Sequence, residues 1–271
     1  MQRLGLNHGS YHGERIDIRA VLQDIVDTAR TRGWDIKSFH RAGDLEWWAL
    51  RREPRQNVGR SFRLYLSAGI HGDEPAGPLA MLHLLRAKDW PAGWDITLVP
   101  CLNPSGFLSN RRENPDGLDL NRDYLRPRSA EIRAHVAWLE QQADYDLCVC
   151  LHEDWEAHGF YLYELNPDCR PSLAEPIIQE VAPVCPIDLS TIIEGRAAAG
   201  GIIRPSLDPA LRPQWPESFW LLNYKTRLAY TLEAPSDFAL GIRVNALVAA
   251  VKAMLKVQAL PAAMPPNPAV P

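Results

Sequence analysis

Apolar residues at Ile18, Val21, Leu22, Ile25, Val26 and Ala29 recur at the three- and four-residue spacing of one helix face, and Gly33 stops that helix. WDIKSF and LEWWALRR read as short strands, followed by the polar turn REPRQNVGR. FRLYLSAGI is a strand too apolar for a sheet edge. The loop HGDEPAG comes next, then a helix over PLAMLHLLRAK, with Pro75 or Pro78 tolerated in its first turn. DITLVPCL predicts a strand, and NPSGFLSNRRENPDG a long turn-rich loop. Ser129 is placed to cap a helix that buries Ile132, Val136 and Leu139. DYDLCVCLH reads as a strand closing at His152, GFYLYEL as another, and RLAYTLE as a third closing at Glu233. Residues 183–220, rich in Pro and Gly, read as irregular loop of the kind that walls a site. Leu240, Val244, Leu247, Val251 and Leu255 line a last helix.

Strands and helices alternate along most of the chain. That order implies an α/β fold: a central mixed, mostly parallel β-sheet flanked by helices. Neither an internal repeat nor a linker interrupts residues 1–260, which are read as one domain; 261–271, PAAMPPNPAVP, is read as a flexible Pro-rich tail.

Composition narrows the function classes. The 271 residues include 46% apolar and 23% charged positions, enough for a core around an enclosed site. A net charge of −4 without a long basic run argues against nucleic-acid or anionic-membrane partners. No stretch reaches the roughly 20 apolar residues of a membrane span, and the N-terminus lacks a signal-peptide core. Five scattered cysteines, with Cys148 and Cys150 on one strand face, are expected as reduced thiols, so cytoplasm is the default location.

His71 and Glu74 stand three residues apart in a loop leaving a strand, where both can reach one ion. Imidazole nitrogen and carboxylate oxygen bind zinc at about 2.0–2.2 Å. Each of His71/Glu74, His152 and Glu233 alone is as compatible with a structural role. Together they lie at strand carboxyl ends, where ligands of open α/β sheets bind. Two imidazoles and one carboxylate leave a fourth zinc position open, the arrangement of a catalytic site. In SNRRENPDGLDLNRDY, Arg112 and Arg122 offer forked donors suited to a carboxylate or oxyanion. Asn121 and Arg122 directly follow apolar Leu120, which points their donors inward.

HGDE, RENPDGLDLNR, a strand-closing His and TLE together resemble the zinc metallocarboxypeptidases of the carboxypeptidase A-like superfamily, over roughly residues 60–250. The resemblance is to the compact bacterial branch near murein-peptide amidases and the succinylglutamate desuccinylase/aspartoacylase group. It implies one Zn2+ per chain on His71, Glu74 and His152. It also implies that Arg112 helps polarise the scissile carbonyl, that Asn121 and Arg122 take a substrate carboxylate, and that Glu233 is the general base. The implied reaction is hydrolysis of an amide bond next to a free carboxylate in a small peptide. An alternative is an N-acyl-amino-acid deacylase of the desuccinylase/aspartoacylase type, for which Arg196, Arg204 and Arg212 are available to hold an acyl carboxylate. A third reading is a zinc- or peptide-binding module without activity.

The chain departs from this pattern after His152. Glu153, Asp154 and Trp155 stand where the carboxypeptidases carry a small hydroxyl residue and Tyr. Glu153, Asp154 and Glu156 are read either as orienting a metal-bound His or attracting an ammonium group, or as a solvated acidic loop. Tyr224 is the candidate for a substrate-capping Tyr, and Trp215 and Trp220 for pocket walls. His8, His12, His40, His83, His135 and His158 are read as structural or surface residues.

Overall fold

A computed structural model of the protein describes residues 1–5, 14–55, 61–87 and 89–256. His8, His12, part of the REPRQNVGR turn and the Pro-rich tail lie outside the described residues. The elements in order are α1 (Ile18–Thr31), β1 (Asp35–Ala42), β2 (Leu45–Arg52), β3 (Phe62–Ala68), α2 (Ala76–Arg86), β4 (Trp94–Val99), α3 (Pro104–Ser109), α4 (Ala130–Glu140), β5 (Leu147–Asp154), β6 (Tyr161–Leu165), α5 (Ala174–Val181), β7 (Ile192–Ile193), β8 (Arg196–Ala199), β9 (Ile202–Ile203), α6 (Glu217–Tyr224), β10 (Ala229–Pro235) and α7 (Leu240–Leu255). The strands among the described residues form one ten-stranded sheet in the order β1-β2-β4-β3-β5-β10-β6-β9-β8-β7. Its centre, β4-β3-β5-β10, is parallel, and β1, β2 and β6 extend it antiparallel. The fold is thus single-domain α/β with a mixed sheet, its parallel run confined to the middle.

The parallel strands are buried on both faces, and their alternation sorts side chains between two layers. On β5, Leu147, Val149 and Leu151 join the larger core beneath α1, α2, α5 and α7. Cys148 and Cys150 point the other way, into a second core under α4 and α6 with Tyr65, Ile132 and Phe219. Continuing the period of two, His152 belongs to the α4/α6 side and Glu153 to the α2/α7 side. On β10, Leu232 and Ala234 enter the larger core, which leaves Thr231 and Glu233 facing the same side as His152.

Three differences from the sequence reading have local causes. Asn103 accepts the Gly106 N–H at 2.9 Å with Pro104 in the first turn, which nucleates α3 inside the expected loop. Residues 183–220 hold β7, β8, β9 and the start of α6, because pairing with β6 supplies an order that periodicity did not reveal. His152 and Glu233 lie two residues inside their strands, since β5 runs on to Asp154 and β10 to Pro235. All five cysteines are free; four are buried and Cys169 is exposed. No helix among the described residues is long and apolar enough to cross a membrane.

Leu66 sits fully buried on β3, at the centre of the sheet. Leu66→Ala is expected to cost about 2–5 kcal/mol in denaturant unfolding, because transfer and cavity terms add where packing cannot collapse.

Candidate metal centre

The loop after β3 carries the first two ligand candidates, and close packing holds it. Gly72 lies so near α3 that a Cβ there would meet the Gly106 carbonyl carbon at 2.2 Å, so only glycine lets the loop seat. Its N–H donates to the Arg112 carbonyl, which also accepts from Asn103 Nδ2 at 3.1 Å. The loops 69–75 and 110–114 are thereby fastened to each other and to α3.

His71, Glu74 and His152 converge: one donor atom from each lies within 4.8 Å of the others, and all three residues are buried. Glu74 stands between the imidazoles, Oε1 2.5 Å from His71 Nδ1 and Oε2 3.0 Å from His152 Nδ1. Asp119 adds a fourth member, its Oδ1 3.3 Å from His71 Nε2, while its Oδ2 accepts from Arg112 Nε at 3.0 Å. Arg112 Nη1 also lies 3.7 Å from Glu74. A His71 that donates Nε2–H to Asp119 presents a bare Nδ1 lone pair to Glu74, and two acceptors at that distance need a positive charge between them. A proton or a metal cation can provide it. Two imidazole nitrogens and a carboxylate, with a carboxylate behind one imidazole, form a donor set that fits a divalent ion.

The charge balance agrees. Burial pushes the Glu74 carboxyl upward, but the charges of His71 and His152 and their hydrogen bonds outweigh it and hold the group well below the usual carboxylate range. Burial also lowers His71, yet Glu74 and Asp119 together raise it above its ordinary value; His152, without a second carboxylate, is left lowered by burial. Glu233, beside His152 in the β5/β10 register, is pushed well above the usual range by burial and by the negative charges of Glu74, Glu194 and Asp154. Burial pushes Asp73 and Asp154 up to about 6.

A cavity of about 490 Å3 opens on this cluster, and His71, Glu74, Arg112, Asn121, Arg122, His152 and Glu233 all line it. These seven expected residues are therefore brought to one space. Other expectations change. Glu153, for all that it borders the cavity, is a buried partner of Arg243 and belongs to no solvated acidic loop. Asp154 accepts from Tyr161 Oη at 3.1 Å. Tyr224 is 57% exposed and packs at a tilt against Trp215 and Trp220, and none of these three rings lines the cavity. Arg204 is engaged by Glu164 and Glu175, whereas Arg196 and Arg212 line the cavity. Arg212 lies 4.4 Å over the Phe219 ring, with its buried Nε unpartnered among the described residues.

Sequence reasoning gave no role to Asp119, Tyr163 or Glu194. Asp119 was visible inside RENPDGLDLNR as a carboxylate two residues before Asn121. Tyr163, which donates to Glu194, and Glu194 itself sit on different strands and turns whose meeting no local pattern signals.

Known proteins share the parallel-centred mixed sheet, and a family model spans the segment that carries His71, Glu74 and His152. Residues 61–171 match the family model of the succinylglutamate desuccinylase/aspartoacylase catalytic domain. A Shewanella amazonensis protein described only provisionally as a metallopeptidase superposes with a TM-score of 0.76 at 23% identity, over 88% of this chain and 92% of that one. A metallo-carboxypeptidase from Burkholderia cenocepacia gives 0.68 at 16% identity, over 89% and 69% of the two chains. Carboxypeptidase 2 of Trichophyton rubrum is 37% identical across 82 residues, 27% of this chain and 15% of that protein, so the match spans under a fifth of the curated relative. By fold the chain is similar to these solved structures, and by residues 61–171 to the succinylglutamate desuccinylase/aspartoacylase catalytic domain.

Behind the cavity, Asn121 Oδ1 accepts the Glu217 backbone N–H at 2.9 Å. The Glu217 carboxyl is buried against Tyr65 and Ser67, which donate at 2.8 and 2.9 Å. Burial pushes it up to about 7. The folded state therefore binds this proton more tightly than the unfolded chain, and its stabilising effect, complete below about pH 4.5, is lost as pH rises through about 7. Glu217→Gln is expected to gain stability relative to wild type as pH is raised from 5 to 8 in paired denaturant titrations; parallel curves would refute the shift.

Proposed function

We propose that the protein is a zinc-dependent hydrolase that cleaves an amide bond next to a free carboxylate in a small peptide. His71, Glu74 and His152 would hold one zinc ion. The observation that carries this reading is the convergence of those three buried side chains in a cavity that also collects Glu233, Arg112, Asn121 and Arg122. A bound zinc would supply a Lewis acid and lower the pKa of a water toward about 7.

The chain's own groups divide the remaining work. Glu233, whose environment raises its proton affinity, takes a proton from the attacking water and returns it to the leaving nitrogen. Arg112, held by Asp119, places a fixed positive charge beside the ligands, where an oxyanion gains stabilisation without reorganising its surroundings. Asn121 has its Oδ1 occupied by the Glu217 N–H, so its amide N–H donors remain for a substrate carboxylate, with the Arg122 guanidinium beside it. The four buried free cysteines fit a reducing compartment, and we place the enzyme in the cytoplasm.

A deacylase of N-acyl amino acids would share the ligands and the base. Its distinguishing contact is a second carboxylate on the acyl side, for which Arg196 and Arg212 stand in the cavity wall. Dipeptides, γ-D-glutamyl peptides and N-acyl amino acids assayed side by side with the zinc-loaded protein separate the two readings.

Glu233→Gln is expected to lower kcat by about 10²–10⁴-fold while zinc content stays at one per chain. Near-normal turnover would remove Glu233 as the base. Arg122→Ala is expected to raise KM for carboxylate-bearing substrates with kcat little changed, since the contact forms equally in ground and transition states. An unchanged KM would remove Arg122 from the site.

A further inference from the structure

The residue after His152 is a buried acid. The pleat turns Glu153 away from the cavity side and into the α2/α7 layer, where its side chain is 0% exposed. There it meets three donors: Arg243 Nη1 at 2.5 Å, the Ala76 N–H at 2.5 Å and Ser236 Oγ at 3.4 Å. Arg243, on the first turn of α7, is likewise 0% exposed and also pairs with Glu14.

Ala76 opens α2, two residues after Glu74. Its helix has Pro75 at the N-cap and no side-chain cap of its own. The first N–H groups of a helix need acceptors, and its N-terminus favours negative charge. Glu153 meets both needs from a different strand. One carboxylate thus joins the segment bearing His152 to the segment bearing His71 and Glu74, although 77 residues separate Glu153 from Ala76. Arg243 keeps that carboxylate directed at the helix, because a buried charge without a partner is strongly disfavoured.

We infer that Glu153, held by Arg243, is a positioning residue that clamps the two ligand-bearing segments at the spacing one metal ion requires. This rests on the proposed metal site at His71, Glu74 and His152. The clamp acts through reach: the carboxylate must contact Arg243 and the Ala76 N–H together.

Zinc affinity, measured by competition with a chromophoric chelator, tests this apart from turnover. Glu153→Leu removes the acceptor. Glu153→Asp keeps the charge beside Arg243 and withdraws it from Ala76, which also guards against a leucine variant that fails to fold. Both are expected to weaken zinc binding by about 10–100-fold, the usual effect of losing a group that orients metal ligands. Glu153→Gln keeps an oxygen for the Ala76 N–H but turns its NH2 toward the Arg243 guanidinium, so its loss should fall between wild type and the leucine variant. Ile25→Ala, in the fully buried face of α1 away from the site, controls for general destabilisation and should bind zinc like wild type. Wild-type affinity in the Asp and Leu variants, a greater loss in Gln than in Leu, or an equal loss in Ile25→Ala would overturn the clamp. If wild type itself binds no zinc, the metal site falls and the clamp with it; tight wild-type binding with unaffected variants removes the clamp alone.

Discussion

The organisation of this molecule turns on a buried carboxylate that needs a positive neighbour on both sides. Glu74, buried where the cavity opens, lies between two imidazole nitrogens, and an unpaired charge there would be strongly disfavoured. Everything nearby contributes to keeping it charged and in place. His71 is oriented by Asp119, Asp119 is tied to Arg112, and the Arg112 carbonyl receives the loop that carries His71. The result is a circuit of alternating charges in which each member fixes the next, and where a divalent ion replaces a proton without changing the sign of the balance.

The sheet makes that circuit possible. Three parallel strands, β3, β5 and β10, deliver the ligand loop, His152 and Glu233 to the same end. Because alternation has a period of two, the face that holds Cys148 and Cys150 also presents His152, and the opposite face receives Glu153. Adjacent residues on one strand therefore serve different layers: the first faces the cavity, the second fastens the helix that follows Glu74. The departure from the carboxypeptidase pattern after His152 has a physical explanation in this division.

Much of this was legible in the sequence because it depends on local rules. Strand alternation and helix periodicity marked β3, β5, β10, α1, α2, α4 and α7, and the strand-end position of His71, His152 and Glu233 suggested a shared site. What stayed hidden depends on partners distant in sequence. Glu153 could not be distinguished from a solvated acid until Arg243, 90 residues away, was beside it. The three arginines offered for a second carboxylate were equivalent by composition; only the ion pairs of Arg204 withdraw it from the cavity. The strands within 183–220 owe their existence to pairing with β6, and α3 to a single Asn–Pro start that the surrounding turn residues concealed.

The most direct measurement is a crystal structure of the zinc-loaded protein with anomalous data collected on both sides of the zinc absorption edge. One strong peak in bonding contact with His71, Glu74 and His152, and open toward the cavity, is the expected result. A peak bound elsewhere, or none at that position with zinc in excess, would contradict the account.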